Sequence, residues 1–154
     1  MWQPHGSLLT TGAKPFETRS WETKFRGPLM IHAAQRRPVI EINFYLRHAT
    51  YQWGLAPLVG LAVDWSQRHR IGTIVSINDI PFGAFIGLGE LINCIPTEKM
   101  TNEQKLRSRG FGDFSAGRFA WELADVIRFK NPIPAKGRQG FFYGSVPGDY
   151  EVVA

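Results

Sequence analysis

Apolar and polar positions along the chain change period several times, and each change marks an element. Ser7, Leu8 and Leu9 form a short helical pattern that ends at Gly12, the residue type that can take the left-handed conformation closing a helix. Pro15 then disfavours helical geometry at Lys14, so the chain leaves this corner extended. The period of two that follows puts Glu17, Arg19 and Trp21 on one face of a strand and Phe16, Thr18 and Ser20 on the other. Arg26, Gly27 and Pro28 make a turn, after which residues 29–34 read as a second strand, with Leu29 and Ile31 on one face and Met30 and His32 on the other.

Further on, Pro57 suits a first helical position, and Leu58, Leu61, Ala62 and Trp65 follow the spacing of a buried helix face, predicting a helix over 57–67. Residues 40–46 alternate weakly and fit a strand or a helix. Strands are predicted over 72–77, 84–92 and 118–123, the last with Phe119, Trp121 and Leu123 inward. A short closing strand is predicted over 140–143, after a loop at 132–137, and the tail beyond Pro147 is expected to fray. Thr101 and Gln104 have the spacing of a capping box, so a short helix starts there and runs to Arg107 or Arg109. Several short strands with two or three small helices predict an α+β fold built on a closed or partly closed β-barrel.

At 154 residues, 44% apolar and 20% charged, the chain makes one globular domain. A net charge of +5 permits an anionic partner, and its distribution sharpens that. Between residues 14 and 37 stand Lys14, Arg19, Lys24, Arg26, Arg36 and Arg37 against Glu17 and Glu22 alone. Cys94 is the single cysteine, which rules out an internal disulfide and suggests a reducing, cytoplasmic setting. The opening residues lack the basic start and apolar run of a secretory signal. The longest apolar stretch, 53–63, is interrupted by Gly54, Pro57 and Gly60 and is well short of the roughly 20 residues that cross a bilayer. The four histidines show no zinc spacing, and no phosphate-binding glycine loop or nucleophile elbow occurs, so neither a metal nor a cofactor is expected.

Candidate chemistry concentrates in residues 12–28. A carboxylate at Glu17, between Lys14 and Arg19, stays ionised and holds both cations, while the indole of Trp21 offers a stacking surface; together they suit a phosphate and a base. The plainer alternative is a solvated Glu17–Arg19 pair with Trp21 in the core. Glu90 shares the face of Ile86, Leu88 and Ile92 by the period of two, so it either meets Lys14 or Arg19 or lies where the strand reaches water. Lys105, Arg107 and Arg109 could form a basic flap, or simply a solvated helix face.

The run QPHGSLLTTGAKPFETRSWETKFRGPLMIHAA, residues 3–34, resembles the opening of an ASCH domain, with Gly12, Lys14, Glu17 and Arg19 filling the family pattern GxKxxExR. GAFIGLGELINC at 83–94 and FGDFSAGRFAWELADVIRFKNPIPAKGRQGFF at 111–142 also resemble the family. Two departures stand out. His5 occupies a position where many relatives carry tryptophan, and residues 35–78 are longer than a minimal domain needs. The resemblance implies one domain over 1–147, with an inserted, partly helical segment at about 35–78 and a tail at 148–154. It also implies a PUA-like pseudo-barrel with short flanking helices and a cleft lined by Lys14, Glu17 and Arg19.

Three functions follow from that resemblance. The first is binding of RNA or a modified nucleotide, with Lys14, Arg19 and Arg26 on phosphates, Trp21 and Trp121 or Trp2 on a base, and Glu17 and Thr18 completing the lining. The second is hydrolysis. Small ASCH proteins deacylate a modified cytidine with the signature lysine, a threonine three residues later and a glutamate, and others are described as ribonucleases. Here Glu17 stands in the threonine's place and Thr18 comes one residue late. A workable variant takes Lys14, Glu17 and Glu90 as its catalytic set, a glutamate acting as general base. In that case Lys14→Ala would abolish turnover and leave thermal stability nearly unchanged. The third is binding of a small nucleotide or of another protein, with residues 35–70 as the contact surface.

Overall fold

The computed structural model describes residues 1–12, 14–37, 80–108, 111–146 and 148–152. The elements predicted at 40–46, 57–67 and 72–77, with most of the inserted segment, lie outside the described residues.

Helix α1, His5–Thr10, is short, and its ends are secured by neighbours rather than by its own length. The Gln3 side chain accepts from the Ser7 amide, and the Thr10 and Thr11 hydroxyls donate back to the carbonyls of Ser7 and Leu8. Gly12 sits at φ +73° and its amide donates to the Leu9 carbonyl, closing the helix where the sequence predicts.

Four antiparallel strands follow: β1, Phe16–Arg19; β2, Gly27–Ala33; β3, Ala84–Pro96; and β4, Phe119–Pro134. They lie in the order β1-β4-β3-β2, so β1 and β2, adjacent in sequence, are opposite edges of one sheet. Helix α1 packs over this sheet with Gly6 to Thr10 buried. The approach depends on Gly87 of β3, where a Cβ atom would lie 2.3 Å from the Ile127 carbonyl oxygen and 2.8 Å from Thr10 Cγ2. Leu9, Ile31, Ala33, Ala84, Ile86, Leu91, Trp121 and Leu123 form the core beneath the helix. Phe16, Met100 and Ala120 make a smaller cluster towards β1. The architecture is the expected α+β one, an antiparallel sheet with short flanking helices; among the described residues the sheet is not closed, β1 and β2 being its edges, which is compatible with a pseudo-barrel.

Helix α2, Asn102–Arg107, carries both halves of the predicted capping box: the Gln104 amide donates to Thr101 Oγ1, and the Thr101 amide to Gln104 Oε1. It buries none of its residues. Arg107 reaches back to the sheet, 3.6 Å from Glu122 and over the ring of Phe16.

Several expectations need correction: Gly27 and Pro28 open β2, paired with Leu91 and Glu90, instead of making a turn, and β4 runs past 123 to Pro134, into the expected loop, because its pairing with β3 continues to Ala84. Strand β3 runs on to Pro96, and bulges between Phe85 and Gly87, Leu88 and Glu90, and Leu91 and Asn93 break the simple alternation. Residues 140–143 form no strand. Gly140 takes φ +72°, and the two following rings diverge, Phe141 onto Trp121 and Phe142 towards His32 and Phe85. The tail does not fray at 150–152, because Val152 bridges to Phe129, the Lys130 amide donates to the Glu151 carbonyl, and the ring of Tyr150 meets that of Phe129.

Candidate functional site

The corner between α1 and β1 is tied to both layers of the fold. The Lys14 amide donates to the Leu8 carbonyl of α1, and the Leu123 amide of β4 donates to the Pro15 carbonyl. These two bonds carry the Lys14 side chain inward, leaving it 2% exposed. Its Nζ donates to Glu17 Oε2 at 2.5 Å, and the other carboxylate oxygen, Oε1, takes Arg19 Nη2 at 3.1 Å. The period of two in β1 puts Glu17 and Arg19 on the same face, and the register sets Glu17 opposite Trp121. The result is a line of charge leading from the interior to the surface: Lys14 fully buried, Glu17 nearly so, Arg19 about one-third exposed at 35%.

Burial would raise the pKa of Glu17, but Lys14, Arg19 and the Lys14 hydrogen bond together hold it below the usual carboxylate range. Lone burial of either charge would be costly, and the pair makes it tolerable. His5, on the adjoining helix, shares this field. Burial first, then the Lys14 cation, lowers its pKa to about 4, against a smaller opposing pull from Glu17. His5 is therefore neutral at pH 7.

Arg19 extends from this anchor beside an aromatic cluster, its guanidinium 5.9 Å from the centroid of Trp121. Its buried Nε has no hydrogen-bond partner among the described residues. Trp121 is buried, and its indole N–H donates to the Trp21 carbonyl at 3.4 Å. Trp21 meets it edge-on at 4.5 Å, and Phe141 stacks on it at 5.2 Å with 27° between the planes. Phe25 closes against Phe141 at 5.4 Å. Trp21, Phe25 and Phe141 all keep substantial exposed surface, so the cluster is anchored inside and presented outside.

The structure thus brings Lys14, Glu17, Arg19, Trp21 and Trp121 together. Arg26 is exposed beside Phe25 and donates to the carbonyls of Thr23 and Phe25. Thr18 faces the other way; its hydroxyl accepts from the Asp113 amide and ties the 111–117 loop to β1. Glu90 is exposed, paired across the sheet with Pro28 and Ala124, and no ion pair among the described residues joins it to Lys14 or Arg19. Phe25 and Phe141 were not singled out by sequence reasoning. The signal for Phe25 was its place inside the basic run 14–37; Phe141 lies in an irregular segment where no periodicity points to it. Among the described residues no helix is long and apolar enough to cross a membrane, and no cluster of three metal-ligating side chains occurs.

An antiparallel sheet with short flanking helices, and a buried cation–carboxylate pair supporting an arginine beside exposed rings, defines a small PUA-like domain. The family model of the ASCH domain matches residues 1–133, and the chain belongs to the ASCH domain family. It is 36% identical over 104 residues to activating signal cointegrator 1 of Mus musculus, and 35% identical over 102 residues to that of Homo sapiens. Those matches cover 68% and 66% of this chain but only 15% of the length of each relative.

Proposed function

We propose that this domain binds single-stranded RNA, or a nucleotide unit of it, at the surface formed by Arg19, Trp21, Phe25 and Phe141. The observation that carries the reading is the presentation of Arg19: one edge is fixed by a buried carboxylate, and the guanidinium lies 5.9 Å from the buried ring of Trp121, on which the exposed rings of Trp21 and Phe141 pack. A planar guanidinium held this way suits a phosphate or the edge of a base. The rings supply the stacking that recognition of unpaired bases requires. Lys14 acts as a positioning residue, since its burial keeps it from a ligand while its bond to Glu17 sets the carboxylate that orients Arg19.

The placement favours recognition over hydrolysis. Lys14 and Glu17 neutralise each other inside the fold, and the Thr18 hydroxyl is engaged on the opposite face. A short unstructured RNA is expected to quench the Trp21 fluorescence on titration. Trp21→Ala should weaken binding by about 5- to 150-fold, the equivalent of the ~1–3 kcal/mol a stacked base contributes. Equal binding by wild type and Trp21→Ala would refute the assignment of the rings.

A further inference from the structure

A second group of arginines and rings lies away from the first. Arg36 places its guanidinium 4.5 Å from the centroid of Trp2, and Arg37 places its own 5.0 Å from that of Phe82. Both arginines are exposed, and Trp2 is 53% exposed. The three chain segments that carry these residues are tied together by hydrogen bonds: the Gln3 side-chain amide donates to the Pro81 carbonyl at 2.8 Å, and the Ala34 amide to the Met1 carbonyl at 2.6 Å. Among the described residues neither arginine makes an ion pair. Two cations held on rings, with no carboxylate paired to them among the described residues, form a surface complementary to a polyanion that also carries flat apolar groups.

We propose that Trp2, Arg36, Arg37 and Phe82 form a second subsite for the same single strand, an inference that rests on the function proposed above. Edge strand β2 connects the two: Arg26 and Phe25 immediately precede its first residue, Gly27, and Arg36 lies just past its last, Ala33. At about 3.3 Å per residue, β2 separates its ends by roughly 20 Å. One strand reaching both groups must therefore run several nucleotides along that edge, within the roughly 4–16 nucleotides that comparable single-strand sites occupy. Bases stack on the exposed ring of Trp2 and the half-buried ring of Phe82 while Arg36 and Arg37 meet successive phosphates. Because an arginine on a ring is already ordered, little further freedom is lost on contact.

The test compares labelled oligouridines of about 3 and about 12 nucleotides, lengths chosen to lie below and within that range. Each is titrated by fluorescence anisotropy at several salt concentrations, with wild type, Arg36→Ala/Arg37→Ala and Trp21→Ala. The double variant, altered only on the surface, should melt with wild type. It should bind the longer strand at least ten times more weakly, with a log–log salt slope reduced by about 1.4 for two lost phosphate contacts, and bind the shorter strand as wild type does. Trp2→Ala should weaken only the longer strand, and Trp2→Phe should restore most of it. If the double variant binds the longer strand normally while Trp21→Ala does not, the second subsite is refuted and the first stands. Equal losses on both lengths would also refute it, because the loss would then be a general one. No binding by wild type at either length overturns both readings.

Discussion

The side chain of Lys14 is where stability and the proposed binding surface meet. Removing it would leave Glu17 buried among fewer partners, and breaking a buried pair from one side typically costs about 3–5 kcal/mol. Lys14→Ala should therefore lower the melting temperature markedly, which reverses what a purely catalytic lysine would do. Replacing both partners, as in Lys14→Met/Glu17→Leu, should restore most of that stability, since well-packed apolar groups often substitute for a buried pair at little net cost. RNA binding should stay impaired, because Arg19 has lost its anchor. Urea denaturation beside RNA titration separates the two effects.

His5 adds a pH dependence. Its folded pKa of about 4 lies below the 6.5 of the unfolded chain, so the unfolded state binds the extra proton as pH falls. The contribution of His5 is complete above about pH 6.5 and declines towards pH 4, by on the order of 3 kcal/mol. Glu17 acts in the same direction at lower pH: its depressed pKa gives stability that is present above the unfolded value and lost as pH falls through the folded one. In His5→Gln the urea midpoint should become nearly flat between pH 6.5 and 4, and an unchanged slope would show that His5 is not responsible.

Among the elements, α1 and β3 show what local pattern can and cannot convey. The corner from Gly12 to Arg19 was legible because each step is a local rule: a left-handed glycine, a proline that excludes helix before it, then a period of two. The burial of Lys14 was not legible, since it follows from bonds to Leu8 and Leu123, one of them more than a hundred residues away. Glu90 was ambiguous for a related reason. Three bulges in β3 shift its alternation, and they answer to pairing with β2 and β4 rather than to the sequence of β3. Gly87 marks the tightest contact between these elements. Gly87→Ala should destabilise the fold by about 1–3 kcal/mol through overpacking against a backbone oxygen that cannot rotate away. Thermal melts would show it, and a wild-type midpoint would mean that α1 does not sit this close.

Across the molecule, the strand order places the basic run 14–37 along both edges of one sheet, with Arg19 ending β1 and Arg36 and Arg37 following β2. The charge excess was plain in the sequence; that it divides between Arg19 at one edge and Arg26, Arg36 and Arg37 at the two ends of the other depends on a topology in which sequential strands are not neighbours. Phe141 makes the same point, reaching Trp121 from an irregular segment by tertiary packing alone. The family pattern supplied the fold and the identity of the charged line, and Trp21 and Trp121 were expected beside it, while Phe25 and Phe141 came from the structure.

The central claim is that Arg19, oriented by a buried carboxylate, is the group on which a single strand is held. The most direct measurement is the salt dependence of binding of one short RNA to wild type and to Arg19→Ala. The account predicts saturable binding by wild type that weakens with salt, a loss of at least about tenfold in the variant, and a slope shallower by about 0.7 for one phosphate contact removed. Identical affinity and slope for the two proteins would contradict it.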